Sequence, residues 1–262
     1  MRRPQARATR HRPADRPEKG KHRRVAGLAA VTALFRHAPE TVARLYLTDG
    51  MKGAANPFCL ELAQSRKPFR VVGAAELARI AGTPMHGGIV ALAEPRPVRP
   101  LDLGEAQRWA RAGEPILMLD GVGNPHNLGA IARTAAFFGI GRLVLSDHPA
   151  QAMPSDASAR VAEGGLELIE VYRAHRFAEV LQRLRPHYRI IASALEHGLP
   201  IDRIEPDRRP IALVLGNEED GIAKPTLAAA ETIVTIPGAG DVQSLNVAAA
   251  AAILIHALCA RR

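Results

Sequence analysis

One stretch, Pro115 to Ser146, restricts the fold more than any other: PILMLDGVGNPHNLGAIARTAAFFGIGRLVLS. Pro115 to Leu119 is an apolar run of strand length, and Arg142 to Ser146 begins a second one. Between them, Leu128 to Phe138 carries helical spacing, with Asn127 placed to cap its first turn and Gly139 and Gly141 to stop it. Strand, glycine-bearing polar loop, helix and strand make one unit of a parallel α/β sheet. Such units gather ligands at the carboxyl ends of their strands. Gly129 and Arg133 lie four apart on one helical face, so the spacing predicts open room above Arg133 for a substrate.

The alternation extends in both directions. Upstream, helices are expected over Val25 to Arg36, Pro57 to Arg66 and Ala74 to Ile80. Strands over Ala43 to Thr48, Phe69 to Val72 and Gly88 to Ala93 complete a small α/β body. Downstream, further strands are expected at Tyr188 to Ser193, Ile211 to Leu215 and Thr232 to Ile236. Residues 94 to 105, EPRPVRPLDLGE, hold three prolines and little to pack, and read as an extended strap. The chain thus divides into a tail (1–24), a small domain (25–94), a linker (95–114) and a parallel-sheet α/β domain (115–262).

Charge sits at one end. Residues 1–24 hold ten Lys or Arg against Asp15 and Glu18, a net of +8 out of the chain's +9. With three prolines and almost no apolar side chains, this tail cannot bury enough surface to fold. It contains no hydrophobic stretch that would make a signal or an anchor. A basic arm of this kind is most useful against a polyanion. Cys59 and Cys259 match no metal or redox spacing and the ten histidines no ligand spacing, so the reading is a cytoplasmic protein without a metal site.

Two more loops in the larger body follow strands. IALVLGNEEDGI, residues 211 to 222, ends a fully apolar strand in Gly216, Asn217 and Glu218. TIVTIPGAGDVQSLNVAAAAAILIHALC, residues 232 to 259, passes from a strand through a glycine-bearing loop and enters an alanine-rich helix by way of Ser244 and Asn246. Small residues on every face predict that this helix is buried on both sides. Gly121 with Gly123, and Gly238 with Gly240, each open a G-x-G pattern. His126 and Gln243 stand where its third glycine belongs, and no Walker A lysine follows. A dinucleotide-dependent oxidoreductase is accordingly the weaker reading.

In this order and spacing, NPHNLGAIARTAAFFG (124 to 139), LVLGNEEDGI (213 to 222) and IPGAGDVQSLNVAAAAAI (236 to 253) resemble the SpoU (TrmH-like) family of RNA ribose 2′-O-methyltransferases of the SPOUT superfamily. The amino-terminal unit, including MHGGIVALAEP (85 to 95), is similar to that family's RNA-binding domain, which is like ribosomal protein L30e. Within the family the chain looks closest to the uncharacterised tRNA/rRNA methyltransferase branch. The resemblance covers nearly everything after the tail. It implies a carboxy-terminal domain tied in a trefoil knot, S-adenosylmethionine bound in that knot, an rRNA or tRNA substrate, and a homodimer formed by the carboxy-terminal domains. The family's catalytic positions fall on Asn127, Arg133, Glu218, Ser244 and Asn246. Its cofactor loops fall on Gly216, Ile236 and Leu245, with Ser193, Ala194, Leu215, Asn217, Pro237 and Ser244 adjoining.

These residue types suit the chemistry. Methyl transfer is an in-line displacement at a sulfonium carbon, so alignment of the ribose oxygen matters greatly. Arginine, with a pKa above about 12, is a poor base. Arg133 is therefore read as a phosphate clamp that orients the hydroxyl through its fork of donors. Glu218 has the alternative reading of an orienting or helix-start acid. The chain also departs from the family: Glu219, Asp220 and Asp241 add acids beside a site meant for RNA, and GAGDVQSLN lacks the methionine common after the proline. Whether these acids change the substrate is left open by the sequence. The competing class is a non-catalytic RNA-binding protein that keeps the fold, which the joint presence of all five positions disfavours.

Overall fold

The structure, a computed structural model, describes residues 22–195 and 198–259; the basic tail through residue 21 lies outside the described residues. Strands β1 (Arg23–Ala26), β2 (Val42–Leu47), β3 (Phe69–Val71) and β4 (Ile89–Ala93) form a small sheet in the order β1-β4-β2-β3. Helices α1 (Leu28–His37), α2 (Lys52–Gln64) and α3 (Ala74–Ala81) cover it. Strand alternation explains the two layers. Leu45 and Leu47 pack with Val31, Leu34 and Leu62 on one face, while Tyr46 packs with Leu77 and Ile80 on the other.

The small body begins earlier than expected. Val25 and Ala26 do not start the first helix; they belong to β1, which pairs antiparallel with β4 from Arg23↔Ala93 to Ala26↔Val90. Gly27, at φ 94°, turns the chain in a conformation that favours glycine, and α1 follows. Arg23 and Arg24 are thus sheet residues and not tail.

The larger body contains β5 (Arg99–Pro100), β6 (Ile116–Asp120), β7 (Arg142–Leu145), β8 (Glu170–Arg173), β9 (Arg189–Ser193), β10 (Leu199–Pro200), β11 (Ile211–Gly216) and β12 (Thr232–Thr235). Their order is β10-β12-β9-β11-β6-β7-β8-β5, and the described pairings are all parallel. The helices are α4 (Leu103–Arg111), α5 (Pro125–Phe137), α6 (Asp156–Ala162), α7 (Gly165–Leu168), α8 (Phe177–Leu184), α9 (Lys224–Ala229) and α10 (Val247–Leu254), the last continued by a π-helical turn over Ile255–Cys259. Strand β6 is buried on both faces, as a central parallel strand must be. Leu117 and Leu119 face the α5 and α10 layer, while Ile116 and Met118 face the layer of α4 and α8.

The proline-rich linker is not a bare strap. Arg99–Pro100 adds a strand to the large sheet beside β8, and residues 103–111 form α4, capped by Asp102, whose Oδ1 accepts from Glu105 N at 2.8 Å. Ala106, Trp109 and Ala110 supply a buried stripe at helical spacing that the neighbouring prolines obscured. Trp109 lies against Tyr172, with ring centroids 5.0 Å apart, and beneath the Arg142 guanidinium.

The two bodies meet through ions and close helix contact. Arg23 grips the buried Glu167 with two parallel hydrogen bonds, Nη1 to Oε1 and Nη2 to Oε2, the latter 2.8 Å. Arg24 Nη1 lies 3.3 Å from Asp156 Oδ2, and Arg96 Nη1 donates to the Leu166 carbonyl at 2.6 Å. Breaking such a pair from one side strands a buried charge, which costs about 3 kcal/mol or more. Arg23→Ala is therefore expected to lower the urea midpoint by that equivalent. A loss below about 1 kcal/mol would mean that the pair behaves as a solvated one.

Candidate active site

Three loops converge at the carboxyl ends of β6, β11 and β12. At the first, α5 starts sooner than its apolar spacing suggests. Pro125 occupies the first helical position, where its fixed φ and missing N–H fit best. Asn124, not Asn127, is the cap: its Oδ1 accepts from His126 N at 2.9 Å. Asn127 is freed from capping and sits inside the first turn.

Its side chain does something else. Asn127 Nδ2 donates to Glu218 Oε1, and Asn127 Oδ1 accepts from Asn246 Nδ2 at 3.1 Å. Asn246 caps α10, its own Oδ1 accepting from Ala248 N at 2.9 Å. One hydrogen-bonded chain, Glu218–Asn127–Asn246, thereby ties together the loops after β11, β6 and β12. Three of the five catalytic candidates are in mutual contact.

Arg133 stands apart. It is six residues beyond Asn127, about 9 Å along the helix and off its face. Its guanidinium, more than half exposed, pairs with Glu163 Oε2 at 3.0 Å. The expected open room above it is absent on the Gly129 side. A Cβ on Gly129 would come within 2.4 Å of the Ser158 carbonyl oxygen and 2.9 Å of Val161 Cβ, so Gly129 lets α6 pack directly on α5. The glycine serves helix contact and not substrate entry.

Ser193, Ala194, Leu215 and Gly216 lie at neighbouring strand ends of β9 and β11, with Ile236 and Pro237 just past β12. Pro237 through Asn246, including Ser244 and Leu245, form an exposed loop over that edge. Leu195 (60 % exposed), Val242 (83 %) and Leu245 (50 %) leave apolar side chains uncovered there. Asn217 shapes its loop. Its Nδ2 donates to Gly121 O at 2.8 Å, its Oδ1 accepts from the amides of Glu219 and Asp220, and its backbone pairs with Gly221. Gly216 has a similar local cause: a Cβ there would meet Gly221 C at 2.6 Å.

Two contributors carry no clear sequence signal. Gln151, buried, accepts from Gly121 N at 3.0 Å and donates to the carbonyls of Val122 and Ala152, holding the first loop. Glu163 lies between the expected strands in a segment without obvious periodicity. His126 is exposed on α5, and Glu219, Asp220 and Asp241 are exposed in the loops after β11 and β12.

Comparison with known proteins agrees across nearly the whole chain. The model of the SpoU rRNA methylase family matches residues 114–256, and that of the RNA 2′-O ribose methyltransferase substrate-binding domain matches residues 24–98. The chain is 31 % identical to the uncharacterized tRNA/rRNA methyltransferase YfiF of Escherichia coli O157:H7, over 92 % of this chain and 68 % of that one. It is 31 % identical to the 23S rRNA (guanosine-2′-O-)-methyltransferase RlmB of Acinetobacter baylyi, over 90 % and 96 %. Among solved structures, the SpoU methyltransferase AviRb of Streptomyces viridochromogenes in complex with AdoMet has the same fold, with TM-score 0.73 and 22 % identity over 92 % and 90 % of the chains.

Proposed function

The chain belongs to the SpoU rRNA methylase family, and from that premise we propose how its own side chains serve RNA ribose methylation. The protein is an S-adenosylmethionine-dependent RNA 2′-O-methyltransferase acting on rRNA or tRNA. The Glu218–Asn127–Asn246 chain is the observation that carries the assignment of its site, because it fixes three separate loops at one cleft.

S-adenosylmethionine supplies a methyl group on a sulfonium sulfur, an electrophile that needs only a correctly aimed oxygen. The cleft suits such a ligand. Leu195, Val242 and Leu245 offer apolar surface for an adenine ring and a thioether chain, and the acids Glu218, Glu219, Asp220 and Asp241 favour a cationic sulfur. Ser193, Ala194, Leu215, Gly216, Ile236, Pro237, Ser244 and Leu245 would hold it, through backbone groups and small side chains. Asn217 shapes the loop and adjoins the same ligand.

Arg133 binds a substrate phosphate and thereby sets the ribose 2′-oxygen in line; Asn127 and Asn246 retain free amide hydrogens to position that oxygen's neighbours. The carboxylate of Glu218 anchors Asn127, and the exposed cleft lets the released hydroxyl proton pass to water. Calorimetric titration with S-adenosylmethionine tests this reading: one site per chain supports it, and no heat, or NAD binding instead, sinks it.

The trefoil knot and the dimer belong to the same proposal. The strand order β12-β9-β11-β6 and the packing of α10 onto α5 are what support the knotted reading. Helix α10 buries Val247, Ala251, Leu254 and Ile255 within its own chain, but not both faces as its composition suggests; Ala249 and Ile253 stay exposed. Next to it Phe137 is 82 % exposed at the end of α5, and Phe138 touches His256. We read this apolar patch as the subunit contact. The full chain is expected to sediment as a dimer at micromolar concentration, and Phe137→Asp to shift it to monomer, weakening association by about 100-fold or more. A Phe137→Asp protein that remains dimeric would move the interface elsewhere. No helix among the described residues is long and apolar enough to cross a membrane, and the proposed place of action is the cytoplasm.

A further inference from the structure

The turn that holds Arg133 is built from an uncommon run of backbone. Glu163 ends α6 in the left-handed region, at φ 44° and ψ 45°, and Gly164 follows at φ 93°. Left-handed backbone at a glutamate is unfavourable and persists only where the surroundings enforce it.

Both sides of this turn are filled. A Cβ on Gly164 would lie 3.1 Å from Ala33 Cβ and 3.2 Å from both Ala29 O and Ala30 Cα, all on α1 of the small body. A Cβ on Gly165 would lie 2.8 Å from Arg133 Cα itself. The turn is wedged between α1 and α5. Its position is reinforced a few residues on by the Arg23–Glu167 pair. The Glu163 backbone is therefore anchored beside α5, which keeps its carboxylate within reach of the Arg133 guanidinium at the end of a longer, half-exposed side chain.

We propose that Glu163 is a positioning residue that sets RNA affinity by competing with the substrate phosphate for Arg133. The inference rests on the assignment of Arg133 to that phosphate. Without RNA, Glu163 Oε2 holds the guanidinium at 3.0 Å in one orientation. A phosphate takes over those donors, because a bidentate guanidinium–phosphate contact is the stronger one. Glu163 can follow the arginine only as far as its own side chain reaches, since the backbone beside it is packed on both sides. It is left as an unpaired carboxylate near a phosphate, which opposes binding. The fixed acid thus raises the threshold that an RNA must pass before Arg133 is engaged, and RNAs that present no phosphate there leave it paired.

The test is Glu163→Gln, which keeps size and backbone while removing the charge. An exposed ion pair sets the scale: KM for an unmodified rRNA or tRNA transcript that accepts methyl groups should fall about two- to fivefold, with kcat and S-adenosylmethionine affinity unchanged. Glu179→Gln, the same charge change on α8 away from the cleft, is the control for net charge. RNA binding by Arg133→Ala and by Arg133→Ala/Glu163→Gln completes a cycle in which the gain must vanish. An unchanged KM, an equal gain in the control or in the Arg133→Ala background, or a fall in kcat would overturn the proposal. Full turnover by Arg133→Ala would instead overturn the assignment on which it rests.

Discussion

Arg133→Ala is expected to lower kcat for RNA methylation by about 100- to 1,000-fold, the size of effect that follows loss of a preorganised charged donor at a reacting centre. The same change should leave folding almost untouched. The side chain is more than half exposed, and its ion pair with Glu163 is of the surface kind, worth at most about 1 kcal/mol. S-adenosylmethionine affinity should also hold, because the cofactor candidates lie at the ends of β9, β11 and β12 and not on the Arg133 turn of α5. Selectivity is what makes the experiment informative. Thermal melting and calorimetry on the variant separate a lost contact to substrate from a damaged protein. Near-normal turnover would remove Arg133 from the site, and loss of cofactor binding with turnover would recast it as a structural residue.

Gly129→Ala should lower the melting temperature by about 5–10 °C, although alanine is the better helix former by roughly 1 kcal/mol. The cause is the α5–α6 contact. The added Cβ would approach the Ser158 carbonyl oxygen at 2.4 Å and Val161 Cβ at 2.9 Å, and the first of these is backbone that cannot rotate away. Relief requires the helices to separate, and overpacking of this kind costs about 3 kcal/mol, more than the helix propensity returns. The displaced α6 ends at Glu163, so RNA affinity should change together with stability. A variant as stable as the parent would show that α6 yields at no cost.

Much of this was legible in the chain. The strands β6 and β11 are apolar runs bounded by proline and glycine, β9 and β12 are rich in β-branched residues, and each of the four lies within a residue or two of its expected span. The five catalytic candidates could be named because three motifs occur together. What escaped the sequence depended on tertiary contact. Val25 and Ala26 have helical spacing, yet pairing with β4 takes them into a strand. Asn127 and Asn124 are both good caps, and Pro125 decides between them by fixing where helical φ begins. Gly129 looked like a gap because no periodicity announces that α6 crosses there. Residues 147–187 hold β8 and three helices of four to eight residues, too short to show a period. Glu163 and Gln151 belong to that stretch, and only the fold brings Gln151 to the first loop and Glu163 to Arg133.

The most direct measurement is transfer of labelled methyl from S-adenosylmethionine to unmodified rRNA and tRNA transcripts, followed by mapping of the modified nucleotide. The expected result is methylation confined to a ribose 2′-oxygen at a defined position, lost in Arg133→Ala, with the same position unmethylated in RNA from cells lacking the protein. Methyl groups found on a base, or a protein that binds S-adenosylmethionine and RNA yet transfers nothing to either transcript, would contradict it.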